Sequence, residues 1–363
     1  MQLSPRAQSI DPFYVMQVAK QAVALEKTLA PEAPRMIYLG IGEPDFTAPA
    51  AVQAAADAAI AQGKTQYTEA MGLMALRQRL SQWYQSRFGV DVAPERILIT
   101  AGASAALQLA CVAFVNPGEQ VLMPDPSYPC NRHILTASSA EAVLLPSGAQ
   151  QRYQLSAAMV AEHWGERTRA VLLASPSNPT GTSLEPQELQ DIMEVVRLNG
   201  GVTLVDEIYL GLSYDERFAQ TALVYSDQVV SINSFSKYFN MTGWRLGWLV
   251  LPEAAVPQVE ALAQNLYICA STIAQHAALA CFEPDTIAEY ERRRAEFKAR
   301  RDFFIPALRE LGFGVPVMPD GAFYAWADAT PFFKRLGVSN SAEFVDAVMQ
   351  RAHVVLTPSR DFS

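Results

Sequence analysis

The chain has 363 residues, enough for two domains and a sizeable core. Half the residues are hydrophobic and 18% are charged, and the net charge of −9 comes without a long basic run, which argues against nucleic acid as a partner. The four cysteines, Cys111, Cys130, Cys269 and Cys281, are far apart in mostly apolar surroundings, so buried free thiols in a reducing compartment are expected rather than a disulfide framework.

Taken in chain order, Asp11-Pro12 and the periodic stretch to Ala30 read as an amphipathic helix capped by Asp11. Lys20, Glu26 and Lys27 break that stretch at helical spacing, so it is no signal peptide. No apolar run approaches the length of a membrane span, and a cytoplasmic location is expected. A Pro-rich link leads to a short strand at 36–39 and the turn Gly40-Ile41-Gly42-Glu43-Pro44-Asp45-Phe46. Short apolar runs then recur at 97–100, 120–123, 170–174, 202–205 and 229–232. Helical patterns such as 105–114 and 186–198 alternate with them, which predicts an α/β domain with a mostly parallel sheet flanked by helices. Beyond Pro252 the pattern is helical, with a charged stretch from Glu289 to Arg301. A mixed segment follows, containing Phe323-Tyr324-Ala325-Trp326, a helix at 342–352 and a strand at 353–356. The expected division is a large domain at 47–283 and a smaller α+β domain built from 1–46 and 284–363.

Ligands of open parallel sheets gather at the carboxyl ends of the strands. Asn178, in Ser175-Pro176-Ser177-Asn178-Pro179-Thr180-Gly181, follows one strand; Asp206 closes the next, with Tyr209 three residues on; Lys237 follows a third. Asn178 to Asp206 is 28 residues and Asp206 to Lys237 is 31, each about one strand–helix–strand repeat. Three polar groups spaced in this way can converge on one crevice. Taken singly, Asn-Pro-Thr-Gly is a common turn, the aspartate could cap a helix, the tyrosine could be core and the lysine could sit on the surface.

Together they suit one chemistry. A desolvated lysine near a cation, here Arg245, has a lowered pKa and a nucleophilic amine that forms a Schiff base with an aldehyde. Arg245 and the serine hydroxyls around Lys237 suit a phosphate, and an aldehyde with a phosphate describes pyridoxal 5′-phosphate. A carboxylate must keep the pyridine nitrogen protonated, a phenol and an amide should bond the ring hydroxyl, and a flexible amine must shuttle the proton. Thr100-Ala101-Gly102-Ala103-Ser104 is a strand end and helix start, a natural anion site, and Tyr128 in a Pro-rich loop could stack on a flat ring. Other chemistries find little support. Gly40-Ile41-Gly42 lacks the third glycine of a dinucleotide fingerprint, the four histidines have no paired metal spacing, and Gly102-Ala103-Ser104-Ala105-Ala106 lacks the last glycine of a nucleophile elbow.

With these motifs the chain resembles the class I/II aminotransferases, pyridoxal-phosphate enzymes of fold type I similar to aspartate aminotransferase. The resemblance runs from Pro12 to Phe362, most specifically through Ser234-Phe235-Ser236-Lys237 to Arg245-Leu246-Gly247. It implies that Lys237 carries the cofactor as a Schiff base, that Asp206 holds the ring nitrogen, and that Tyr209 and Asn178 contact the ring hydroxyl. It implies further that Tyr128 stacks on the ring, that Ser234, Arg245 and the Ala103-Ser104 turn bind the phosphate, that Tyr67 reaches the phosphate of a neighbouring subunit, and that Gly42 contacts the substrate. The implied protein is a homodimer moving an amino group between an L-amino acid and a 2-oxo acid. A carbon–sulfur β-lyase and a non-catalytic binding protein of the same fold are the alternatives. The family usually closes with an arginine that grips the substrate α-carboxylate, beyond a segment like Val354 to Phe362; Arg360 lies too early for that role, and a protein longer than these 363 residues is expected. A dicarboxylate donor would need a further cation. Arg132 is conceivable but better read as a surface residue, and aromatic and aliphatic donors are equally open.

Overall fold

The computed structural model describes residues 1–363. Nine strands form in chain order: β1 Ile37–Tyr38, β2 Ile97–Thr100, β3 Gln120–Asp125, β4 Glu141–Pro146, β5 Thr168–Ala174, β6 Val202–Asp206, β7 Val230–Ser234, β8 Gly247–Val250 and β9 Val354–Val355. Seven of them make one sheet in the order β2-β8-β7-β6-β5-β3-β4. All neighbours are parallel except those of β8, which runs antiparallel to both β2 and β7. The inner strands read as near-continuous apolar runs because helices cover both faces, and β2 and β7 are buried throughout.

Two strands were not anticipated. β4 lies at the sheet edge with its residues largely half-buried, so it lacks the fully apolar signature of its neighbours. β8 starts at the last residue of the lysine motif and takes its place only by pairing with β2 and β7 on either side. With β8 inserted, β2 still points the same way as β7, β6, β5, β3 and β4, so six strands present their carboxyl ends along one edge of the sheet.

The first long helix is Tyr14–Glu26, and Asp11 does not cap it. Its cap comes from the other end of the chain: Asp361 Oδ2 accepts the Tyr14 N–H at 2.6 Å. A carboxylate on an otherwise unpaired N-terminal donor satisfies both hydrogen bonding and the helix dipole. Nearby, β1 pairs with β9 in parallel, Ile37 opposite Val354. Val18, Ala22 and Met36 pack with Phe344, Val345, Met349 and Val355 in a cluster of their own, so the two chain ends share one small core.

The charged stretch lies within one helix, Pro284–Leu311, of 28 residues. Its polar face carries Arg294–Glu291 and Arg300–Glu296 ion pairs one turn apart, while Tyr290 and Phe297 bury against the main core. The Phe323–Trp326 segment is irregular and packs against the loop after β6. All four cysteines are free; Cys111 and Cys281 are buried, whereas Cys130 and Cys269 are only partly so. No helix is long and apolar enough to cross a membrane.

Candidate active site

The carboxyl ends of the strands open into a cavity of about 1350 Å³. Gly42, Ala103, Ser104, Tyr128, Asn178, Asp206, Tyr209, Ser234, Lys237 and Arg245 all line it. Each lies at or just beyond the end of β2, β3, β5, β6 or β7, apart from Gly42 in the turn after β1 and Arg245 just before β8. Parallel strands side by side thus convert a spacing of one repeat along the chain into proximity in space.

Lys237 Nζ donates to the Gly42 carbonyl at 2.7 Å. The ammonium also lies 5.5 Å from the Tyr209 ring centre and 5.8 Å from that of Phe323. Burial lowers its pKa to about 8; Glu43 and Asp206 pull the other way, and Arg245 adds to the lowering. Asp206 is the opposite charge in the same cavity. Its Oδ1 accepts the Ile208 N–H at 3.0 Å. Burial raises its carboxyl to about 7, a shift the Ile208 hydrogen bond and Lys237 oppose and neighbouring Glu207 reinforces. Asp206 is 7% exposed and forms no ion pair within the chain.

The anion end is built differently. The helix Gly102–Phe114 begins directly after β2, and its N-terminus offers unpaired N–H groups. Gly102 has φ +82°, and a Cβ there would stand 2.6 Å from Arg245 Nη2. Only glycine lets the guanidinium come this close to the helix start. Arg245 Nη1 donates to Thr242 O at 3.1 Å, leaving the rest of its fork for a ligand. Ser234 Oγ accepts the Ser236 N–H at 2.9 Å, and both serines line the cavity.

The remaining wall is aromatic. Phe13 meets Tyr128 edge-on at 6.2 Å and Phe362 at 6.3 Å, and Trp326 meets Phe362 at 6.4 Å. All four rings line the cavity.

The family model for aminotransferase class I and II matches residues 34–363. The chain belongs to this family. It is 37% identical over 355 residues, covering 97% of this chain and 89% of the relative, to a protein of Mycobacterium tuberculosis named valine–pyruvate aminotransferase. It is 31% identical over 363 residues, 99% of this chain and 91% of the relative, to a protein of Methanocaldococcus jannaschii named (5-formylfuran-3-yl)methyl phosphate transaminase. Among solved structures, an aminotransferase from Mycobacterium tuberculosis superposes with a TM-score of 0.93 at 36% identity, over 100% of this chain and 91% of that one. Aspartate aminotransferase from Thermus thermophilus with maleate gives a TM-score of 0.91 at 27% identity, over 100% of this chain and 92% of that one. The protein is therefore an aminotransferase with the family's α/β fold.

Aminotransferases of this class generally depend on pyridoxal phosphate, and the residues present fit that group. A lysine shifted towards neutrality, a buried carboxylate without a counterion and a guanidinium at a helix N-terminus are its three chemical requirements. This aminotransferase does not bring Tyr67 to the cavity of its own chain: it does not line the site and is 80% exposed. Arg132 does not line it either.

Ser236, one of the serines around Lys237, also lines the site. One residue has no signal in the sequence. Tyr324 lies 115 residues from Tyr209, and its hydroxyl shares a hydrogen bond with the Tyr209 hydroxyl. Nothing in its local pattern separates it from a packing aromatic.

Proposed function

We propose that this aminotransferase uses pyridoxal 5′-phosphate linked to Lys237, and moves an amino group from an L-amino acid to a 2-oxo acid in two half-reactions. The observation that carries the reading is the pairing of Lys237, lowered to about 8, with Asp206, raised to about 7, in one cavity. When bound, the cofactor supplies an aldehyde for the lysine amine and a ring that draws electrons from the substrate Cα.

The chain's residues do the rest. Asp206 holds a proton on the ring nitrogen, where ion pairing removes the cost of its burial. Tyr209 and Asn178 hold the ring hydroxyl, and Tyr128 covers the ring face. Ser234, Arg245 and the Ala103-Ser104 turn hold the phosphate. Lys237 Nζ would take the proton from the donor Cα and hold it for return. The Gly42 backbone contacts the donor. Tyr67, exposed in one chain, reaches the phosphate site of a second copy in a cytoplasmic homodimer.

The donor side chain is apolar in this reading. The wall of Phe13, Tyr128, Trp326 and Phe362 supports it, as does the name of the valine–pyruvate relative. Borohydride reduction followed by peptide mass spectrometry tests the link to Lys237: a pyridoxyl label on any other lysine, or none, overturns it. Steady-state kinetics with valine, leucine, phenylalanine and aspartate as donors test the rest. Parallel double-reciprocal lines and preference for the apolar donors are expected; pyruvate release without an acceptor would make the protein a β-lyase instead.

A further inference from the structure

The segment that carries Tyr324 is clamped to the loops after β5 and β6. Gly181 O accepts the N–H groups of Asp320 and Gly321, at 2.8 and 3.1 Å. Tyr214 N–H donates to Asp320 O at 2.8 Å, and Ala322 N–H donates to Leu212 O at 3.2 Å. The Tyr214 hydroxyl donates to Ala322 O. Gly321 bridges Ser213, and a Cβ there would stand 2.9 Å from Leu212 O, so the two backbones are in close contact. These bonds set the segment against Gly181 and residues 212–214 and leave its next two side chains a defined place in the site.

Both point at the same neighbours. Phe323 packs edge-on against Tyr209 at 5.7 Å and lies 5.8 Å from Lys237 Nζ. Tyr324 packs edge-on against Tyr209 at 5.4 Å, and the two hydroxyls share a hydrogen bond. Tyr324 also fills the space over Gly42, where an added Cβ would collide with its phenol. Gly42 in turn accepts the hydrogen bond from Lys237 Nζ. One phenol therefore packs against both the tyrosine and the glycine that contact the lysine.

We propose that Tyr324 is a positioning residue for amino transfer: it donates to the Tyr209 hydroxyl, so that Tyr209 turns its own proton to the cofactor ring oxygen, and it holds Gly42 against Lys237. This rests on the pyridoxal phosphate reading. A phenol that accepts one hydrogen bond becomes a stronger donor in the next. A hydrogen bond donated to the ring oxygen favours its anionic form, and the proton shared with the lysine nitrogen then leaves at lower pH. Loss of the Tyr324 hydroxyl should move that midpoint upward.

The test is the pH titration of the cofactor absorbance in resting holoenzyme, for wild type, Tyr324→Phe, Tyr209→Phe and the double variant. Tyr324→Phe keeps the ring and its packing, and a melting curve checks its fold. We expect its midpoint to rise by about half a pH unit or more, a several-fold change in the proton equilibrium. The double variant should rise no further than Tyr209→Phe alone, because Tyr324 acts through Tyr209. An unchanged midpoint in Tyr324→Phe, or full additivity in the double variant, overturns the role of Tyr324 and leaves the cofactor reading intact. A wild-type protein with no titrating lysine-linked absorbance overturns both.

Discussion

Lys237 Nζ donates to the carbonyl oxygen of Gly42, 195 residues earlier in the chain, at 2.7 Å. The turn after β1 thus holds the amine at the mouth of the sheet, where burial has already lowered its pKa. Removal of this amine should abolish proton transfer while leaving the cofactor pocket in place. Lys237→Ala is expected to lose about a thousand-fold or more in the half-reaction with an amino donor. Single-turnover absorbance measurements check this, and a variant within tenfold of wild type would rule out Lys237 as the proton carrier.

Arg245 is held beside the helix start at Gly102 by one hydrogen bond to Thr242 O, with no carboxylate partner. Its substitution should weaken the hold on a phosphate and spare the fold. Arg245→Gln is predicted to weaken pyridoxal phosphate binding by roughly ten- to a hundredfold, the worth of a charge-assisted hydrogen bond. Equilibrium dialysis against the cofactor reads the change. Pyridoxal without phosphate serves as the control and should bind both proteins alike.

Asp206 and Lys237 give the cofactor-free protein a defined pH dependence. The Asp206 carboxyl is raised by burial to about 7 in the fold, so its contribution to stability is present below the unfolded pKa and is lost as pH rises through about 7. The Lys237 amine is depressed to about 8, so its contribution is present above the unfolded pKa and is lost as pH falls through about 8. From these two groups the protein is least stable between about 7 and about 8. Melting temperatures of Asp206→Asn relative to wild type should show the acid-side gain removed, and those of Lys237→Met the alkaline-side gain removed. Variant and wild-type curves that run parallel across the range would contradict both assignments.

Glu207 turns away from the cavity into a buried network. Its carboxylate accepts from Ser231 Oγ at 2.6 Å, Ala222 N–H at 2.7 Å and Thr221 Oγ1 at 2.8 Å. Ser231 Oγ itself accepts from Asn233 Nδ2 at 2.7 Å, which leaves its proton for Glu207. Glu207→Ala would strand these donors without water to replace the carboxylate. A loss of about 3 kcal/mol or more in unfolding free energy is expected from chemical denaturation. A change under about 1 kcal/mol would show the network to be dispensable.

Much of this site is legible along the chain. Five of the seven central strands announce themselves as short apolar runs, because strands buried on both faces need no polar alternation. Asn178, Asp206 and Lys237 follow such runs one repeat apart, and parallel strands carry that spacing directly into one crevice. Chain order is enough when every partner stands at the same place in a repeated unit.

Contacts outside that repeat leave no such trace. Asp361 caps the helix at Tyr14, although Asp11 has the better local credentials, because two distant chain ends share one small core. β8 enters the sheet between β2 and β7 by pairing alone, and Tyr324 reaches Tyr209 only because the segment at 320–322 is hydrogen-bonded to the loop after β6. The sequence by itself determined the repeating strands, the order of the motifs and the lysine at their centre. Tertiary structure alone decided which distant side chains close the site, because a hydrogen bond between residues a hundred or more positions apart has no period to read.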